Sequence, residues 1–200
     1  MVGLYRHPYG SPRYSHLKAD RADIPHKWIS EGYSTMLQEA DRQVMEVAGK
    51  SADLVVTPVG VGSLAQAVIT HYKASDRSTA LLAVEADMAP SLLESLKHGS
   101  ITSISTTDTI MCGLNCGTVS SNAWPLMRDG LETTTTVTDL ESHRAMSDLQ
   151  SLGIHVGPCG AAPLAALKNI GAEGLGINEN SVVLLLCTEG TRDYIHPVES

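Results

Sequence analysis

The chain has 200 residues, of which 42% are hydrophobic and none is Phe, so it can fold around one substantial aliphatic core. Its formal net charge of -8 argues against a nucleic-acid-binding protein, which needs a basic face. No apolar run approaches the roughly 20 residues of a membrane-spanning helix, and the first residues form no apolar signal core, which predicts a cytoplasmic protein.

The N-terminal segment differs from the rest of the chain. Residues 1–27 interleave Tyr, Arg, His and Pro without helical or strand periodicity. We therefore predict an irregular segment over residues 1–27, followed by one α/β domain over residues 28–200. In that domain, apolar residues from Tyr33 to Ala48 recur at helical spacing, and Gly49 follows as a helix stop.

The stretch after Gly49 predicts a strand, a glycine turn and a helix. Leu54–Val56 is a short apolar run, typical of a strand that is buried on both faces. In the turn that follows, two glycines permit unusual backbone torsions, and Ser63 is placed to cap the next helix. Free amides and the positive end of the helix dipole would converge there. The sequence thus predicts a phosphate cradle formed by Gly60, Val61, Gly62, Ser63 and Leu64.

The local pattern does not identify the phosphorylated ligand. Gly60–Ala65 matches GxGxxA, the dinucleotide fingerprint. Glu85 ends the next apolar run, Ala80–Val84, where an acid that binds a nucleotide ribose would lie. A nicotinamide cofactor therefore fits as readily as another phosphorylated ligand.

Predicted strands and helices continue to alternate towards the C-terminus. Strands are expected at Ala80–Val84, Thr133–Val137, Ile154–Val156 and Val182–Leu186. Helices are expected to start at Asp87, with Pro90 in the first turn, after the capping box Thr138–Glu141, and after the turn Gly157–Gly160, ending at Gly171. This alternation predicts an α/β fold in which helices cover both faces of a parallel sheet.

Polar or glycine-rich loops follow three of these strands, at the end of a parallel sheet where ligands bind. They are Pro58–Ser63, Gly157–Gly160 and Cys187–Gly190. Thr106–Ser121 has no regular period and is expected to run over the surface or to line a pocket. The four cysteines lack the spacing of a zinc site and are expected to be reduced and buried.

Several short motifs occur in an order that resembles a known family. They are Glu31–Met36 (EGYSTM), Gly60–Ser63 (GVGS), Val84–Asp87 (VEAD), Ile110–Gly117 (IMCGLNCG), Gly157–Ala161 (GPCGA) and Cys187–Gly190 (CTEG). From about Ile24 to Tyr194 the chain resembles the diaminopropionate ammonia-lyases, within the tryptophan-synthase-β-like, fold type II family of pyridoxal-phosphate enzymes.

The resemblance implies pyridoxal phosphate as the cofactor and a small amino acid as the substrate. The cofactor phosphate would be held by the amides of Gly60, Val61, Gly62, Ser63 and Leu64. Cys187 or Thr188 would lie beside the pyridine nitrogen, and Thr188 is preferred because the family usually places a small hydroxyl residue there. The implied reaction is the α,β-elimination of ammonia from 2,3-diaminopropionate, which gives pyruvate.

The same resemblance exposes what the chain lacks. In the family, the Schiff-base lysine lies in an N-terminal part, in a setting such as SFK, and none of the six lysines here has that context. We therefore expect the C-terminal portion of a lyase, with no catalytic residue assigned. Two alternatives are a nicotinamide-dependent oxidoreductase domain and a non-catalytic interaction protein, in which an incomplete sheet would seek a partner, a second copy included.

Overall fold

The computed structural model describes residues 5–6, 24–74 and 78–198 and confirms an α/β fold. The strands are β1 (Tyr5–Arg6), β2 (Leu54–Pro58), β3 (Ala80–Ala86), β4 (Thr133–Val137) and β5 (Val183–Leu185). The helices are α1 (Ile24–Ala48), α2 (Ser63–Lys73), α3 (Ser91–His98), α4 (Trp124–Gly130), α5 (Asp139–Ser151) and α6 (Pro158–Leu175), with a 3-10 turn at Cys112–Leu114. No helix in these ranges is long and apolar enough to cross a bilayer.

The five strands form one sheet in the order β1-β4-β3-β2-β5. The strands β2, β3, β4 and β5 are parallel, as the alternation of elements predicted, and only the two-residue β1 is antiparallel to its neighbour β4. Because β2 lies between β3 and β5, the turn that follows β2 is flanked by the loops that follow both neighbours.

Side chains of the central strands alternate between two apolar cores. Val55 packs with Leu81 among α1, α2, α3 and α4, whereas Val56 packs with Leu82 against α5 and α6. This period of two explains why β2 and β3 read as uninterrupted apolar runs: each face of the sheet is covered by helices.

Helix α1 is tied to α2 by a single carboxylate. The two oxygens of Asp41 lie 2.8 Å from His71 Nε2 and 2.8 Å from Tyr72 Oη. Tyr72 is fully buried, so these polar contacts lie beside the core rather than on the open surface. They hold the C-terminal end of α2, whose N-terminal end forms part of the candidate site.

Several predicted boundaries need correction. Helix α3 begins at Ser91 rather than Asp87, because Pro90 stands at the position before the first helical residue instead of within the first turn. No strand forms at residues 154–156, and the short helix α4 was not predicted. The helical run of α6 is broken at Gly171, as expected, and the capping box of Thr138 and Glu141 is present.

The predicted irregular segment, residues 1–27, lies largely outside the described residues. Its described parts are β1, which pairs with β4, and the first residues of α1. Helix α1 thus begins at Ile24, a few residues before the predicted domain boundary.

Candidate functional site

The predicted phosphate cradle is a sharp turn between β2 and α2. The Val59 amide donates to the carbonyl of Val84 (2.8 Å), and the Val61 carbonyl accepts from the Ser120 amide (2.8 Å). Gly62 precedes the first helical residue with φ of +103°, in the left-handed region that favours glycine. Ser63 does not cap the helix as predicted, because it is already the first helical residue and no side chain caps this end.

The consequence is an uncapped helix N-terminus with free amide groups. Within the described part of the chain, no hydrogen bond is donated by any backbone amide from Gly60 to Ala65, and the first helical bond runs from Gln66 to the Gly62 carbonyl (2.8 Å). Six successive N–H groups at the positive end of a helix dipole form a favourable environment for an anion.

The two glycines of the turn serve packing as well as backbone geometry. A Cβ atom on Gly60 would lie 2.7 Å from the Gly113 carbonyl oxygen and 3.2 Å from Cys116 Sγ. A Cβ atom on Gly62 would lie 2.7 Å from both Cε and Sδ of Met127. The loop Gly113–Gly117 therefore packs directly against the cradle.

The second glycine turn, at the start of α6, has a different function from the one expected. A Cβ atom on Gly157 would lie 2.5 Å from Glu189 Oε2, and one on Gly160 would lie 2.8 Å from the Glu189 carbonyl oxygen. The Cys159 amide donates to Glu189 Oε2 (2.6 Å), so a carboxylate already occupies this helix N-terminus. The glycines make room for the loop Glu189–Gly190, and the α6 N-terminus is not open to a ligand.

Sequence reasoning gave Glu189 no role, although one signal was present. Helix α6 begins at Pro158, and neither Gly157, in the capping position, nor Pro158 or Cys159 has a side-chain oxygen that could cap its amides. A carboxylate from elsewhere in the chain was therefore needed, and Glu189 in the next predicted loop was available to provide it.

The predicted ring-facing residues Cys187 and Thr188 follow β5, which neighbours β2. The Leu186 amide donates to the Val56 carbonyl (3.1 Å), so the loop after β5 leaves the sheet beside the cradle. Both side chains are exposed, and the Thr188 hydroxyl makes no hydrogen bond to the described residues. The structure thus places Cys187 and Thr188 at the same end of the sheet as Gly60–Leu64.

Glu85 does not face a ligand, which contradicts its expected role as a ribose-binding acid. It is fully buried, and its two carboxylate oxygens accept from the amides of Leu92 (2.6 Å) and Leu93 (2.9 Å) at the start of α3. Burial raises the pKa of Glu85 to about 8, against the two amide hydrogen bonds, which lower it. The Glu85 side chain therefore caps the N-terminus of α3. Of the two motifs that favoured a nicotinamide cofactor, only GxGxxA remains.

The cysteines are free thiols, but the prediction that all four are buried is wrong. Cys159 is buried and Cys116 partly so, whereas Cys112 and Cys187 are exposed. Burial, together with a smaller contribution from the nearby Glu189 carboxylate, raises the pKa of Cys159 to about 12. Burial also raises the pKa of Cys116, with a smaller contribution from Glu85.

The lysines with described side chains are occupied elsewhere. Lys73 lies at the far end of α2, about 15 Å from Ser63 along the helix axis. Its Nζ contacts Glu132 and donates to the Thr79 carbonyl (3.0 Å). Lys50 is paired with Asp53, Lys97 with Glu94, and Lys168 with Asp148. Each therefore has a partner outside the candidate site.

Two shallow cavities among the described residues lie away from the cradle. One, of about 140 Å³, separates α5 from the chain after Thr191, and the other, of about 290 Å³, lies at the amino ends of the strands, beside Arg6 and Glu132. Within the cradle, Val61 is exposed, Gly60, Ser63 and Leu64 are partly exposed, and Gly62 is buried.

Comparisons with known proteins agree with this arrangement. The sequence model of the family described as pyridoxal-phosphate dependent enzymes matches residues 7–189. Diaminopropionate ammonia-lyase of Escherichia coli is 28% identical over 191 residues, which cover 84% of this chain and 46% of that protein. Serine racemase of Arabidopsis thaliana is 29% identical over 140 residues, which cover 70% of this chain and 40% of that protein.

A comparison with solved structures also finds a diaminopropionate ammonia-lyase. The crystal structure of E. coli diaminopropionate ammonia-lyase with a bound reaction intermediate aligns with a TM-score of 0.72 and 28% identity. The alignment covers 82% of this chain and 45% of that structure. This chain therefore spans about half the length of the relatives it matches.

Proposed function

The chain belongs to the family of pyridoxal-phosphate dependent enzymes, and on that premise we propose that it forms the phosphate-binding part of an ammonia-lyase for 2,3-diaminopropionate. The observation that carries this proposal is the uncapped start of α2, where the amides from Gly60 to Ala65 donate no hydrogen bond within the described chain. The cofactor phosphate is the anion that these amides would hold.

The described residues fit the cofactor at one end of the sheet. The amides of the cradle would bind the phosphate, the loop Gly113–Gly117 packs against that cradle, and the Thr188 hydroxyl would be available to the pyridine nitrogen. When bound, pyridoxal phosphate supplies the electron sink that stabilises a carbanion at the substrate Cα. The chain's own contribution is therefore to bind and orient the cofactor.

The substrate assignment rests on motifs rather than on pocket geometry. Gly113–Gly117 (GLNCG) and Cys187–Gly190 (CTEG) resemble the diaminopropionate ammonia-lyases, and a relative of that name aligns over 84% of this chain. Coverage does not separate the possible substrates, because an L-threonine dehydratase of Corynebacterium glutamicum also aligns over 84% of this chain, so the motifs alone carry the assignment. We therefore favour the diamino acid, whose β-amino group would leave as ammonia.

The proposal needs a Schiff-base lysine that the described side chains do not supply. Lys50, Lys73, Lys97 and Lys168 are ion-paired away from the cradle. None of the six lysines has the sequence context that the family requires, so the lysine would come from outside these 200 residues. Activity on the diamino acid is thus proposed for the complete site and not for the cradle alone.

We expect pyridoxal phosphate to bind this chain at least a hundredfold more tightly than pyridoxal. Hydrogen bonds to a charged group contribute roughly 1.5–3 kcal/mol each, so losing two or more of them accounts for a factor of about 100. Isothermal titration calorimetry with both ligands measures the ratio, and inorganic phosphate should compete with the first. Equal affinities would show that the phosphate is not what the chain recognises.

We also expect no single lysine to be labelled stoichiometrically when the chain is reduced with borohydride in the presence of pyridoxal phosphate. Each described lysine has an acidic partner, and Lys73 is the most buried of them, with its side chain 9% exposed. Peptide mapping by mass spectrometry reads the outcome. One fully labelled lysine would contradict the proposal that the Schiff-base partner comes from elsewhere.

A further inference from the structure

We propose that Glu189 is a positioning residue that joins three loops at the candidate site into one unit and thereby fixes Cys187 and Thr188 towards the cofactor ring. This inference rests on the proposed function, since it concerns how the ring-facing loop is held. It assigns to Glu189 a role apart from binding or chemistry.

The contacts of Glu189 reach in three directions. Its carboxylate accepts from the Cys159 amide (2.6 Å) and from Arg192 Nε (3.0 Å), and its carbonyl accepts from the Gly157 amide (3.0 Å). The other end of the Arg192 guanidinium donates to the Ile110 carbonyl. One residue therefore connects the loop after β5, the start of α6 and the chain that leads into Gly113–Gly117.

The Glu189 carboxylate has two electrostatically favourable neighbours. It lies at the positive end of α6, an element of 18 residues, and faces the Arg192 guanidinium. The two side chains are only 21% and 30% exposed, so solvent screens the pair less than at an open surface. Charge-assisted hydrogen bonds of this kind are stronger and more directional than neutral ones.

The loop that carries Glu189 packs closely against the glycines at the start of α6. Side chains on Gly157 or Gly160 would collide with Glu189 or with the Gly190 carbonyl oxygen at 2.5–2.8 Å. Cys159 Sγ lies 3.3 Å from where a Cβ on Gly113 would be. Gly113 in turn touches Gly60, so a continuous path of close contacts runs from Glu189 to the edge of the cradle.

The cradle has no direct contact with Glu189 among the described residues, although the loop Gly113–Gly117 lies between them. The turn from Val59 to Gly62 is held by hydrogen bonds to Val84 and Ser120, and none of its described contacts involves Glu189. Loss of the Glu189 carboxylate should therefore disturb the ring-facing loop and the start of α6 while leaving phosphate recognition intact. This separation makes the inference testable independently of the proposed function.

The test compares the full chain with Glu189→Gln and Arg192→Gln, using Glu179→Gln as the matched control because Glu179 is an exposed carboxylate in the loop before β5. Three quantities are measured: the rate at which a thiol reagent labels Cys159, the absorption band of bound pyridoxal phosphate across pH, and the affinity for inorganic phosphate. The first does not require the cofactor to bind.

In Glu189→Gln we expect Cys159 to be labelled at least about tenfold faster, because one charge-assisted hydrogen bond is worth roughly that factor or more. Loss of the Glu189 charge also lowers the pKa of the Cys159 thiol, so Arg192→Gln, which keeps that charge, separates loop displacement from the electrostatic effect. The cofactor band should shift, phosphate affinity should stay within about twofold of the parent chain, and Arg192→Gln should show the same pattern more weakly. Unchanged labelling and an unchanged band in a folded Glu189→Gln chain would overturn the inference, as would equal effects in Glu179→Gln.

If Glu189→Gln does not fold, Arg192→Gln decides by the same criteria. If the parent chain binds neither pyridoxal phosphate nor phosphate, the proposed function fails, and Cys159 labelling still decides the role of Glu189.

Discussion

Replacing Gly62 by Val is expected to abolish measurable binding of pyridoxal phosphate to a chain that still folds. Gly62 has φ of +103°, where a β-branched residue is strained by roughly 1–3 kcal/mol. Its new Cβ would also lie 2.7 Å from two atoms of Met127 and 3.1 Å from the Ala123 Cβ. The flexible end of Met127 can move aside, but the strained φ and the Ala123 contact are relieved only if the first turn of α2 moves, and that turn carries the free amides of the cradle.

The matched control for this substitution is Gly153→Val. Gly153 has φ of +78°, but a Cβ there meets nothing within 4 Å, so the control carries the backbone strain without the collision and lies in the loop after α5. Calorimetric affinity is compared for both variants, with circular dichroism and thermal melting as the measure of folding. A folded Gly62→Val chain that binds as tightly as the parent would show that the phosphate is held elsewhere.

The elements that could be predicted from the sequence are those specified by nearby residues. Leu54–Val56 and Ala80–Val84 are apolar without interruption because helices cover both faces of β2 and β3. Thr138 and Glu141 are three positions apart and cap α5 reciprocally. In each case, the residues that determine the structure are close enough in sequence to be recognised as a pattern.

The features that could not be predicted depend on contacts between distant segments. The glycine turn at Gly157 resembles the cradle locally, yet Glu189, about 30 positions away, occupies its helix N-terminus. Glu85 has the position of a ribose-binding acid, but the start of α3 folds back over it and uses both carboxylate oxygens. A pattern that offers a free helix N-terminus or a free carboxylate cannot show whether the fold has already used it.

We expect the purified chain to self-associate through the open edge of β5. This strand pairs with β2 on one side, and among the described strands none pairs with its other side. The Val182 carbonyl accepts from the Leu54 amide (3.3 Å), and the Leu186 amide donates to the Val56 carbonyl (3.1 Å). In a parallel pair the intervening residues Val183 and Leu185 therefore direct their amides away from β2, towards the open edge.

The side chains of β5 are only half-buried, although all three are apolar. A few hundred Å² of exposed apolar surface corresponds to several kcal/mol at about 25 cal/mol per Å², which is comparable to the stability of a whole domain. Unpaired backbone groups beside apolar surface are the usual template for association between sheet edges. Covering this edge should therefore be strongly favourable for the isolated chain.

Leu185→Pro tests the edge specifically, because proline removes an amide that points away from β2 and leaves the pairing with β2 intact. Leu185→Ala is the control, since it removes more apolar surface than proline does but keeps the amide.

Analytical ultracentrifugation should show concentration-dependent association for the parent chain and for Leu185→Ala, and a larger monomer fraction for Leu185→Pro. Binding of a hydrophobic dye should be high for the parent chain at low protein concentration, where the edge is uncovered. If the parent chain is instead a monomer that melts cooperatively and binds no dye, the β5 edge is tolerated in water and the described residues form a self-sufficient domain.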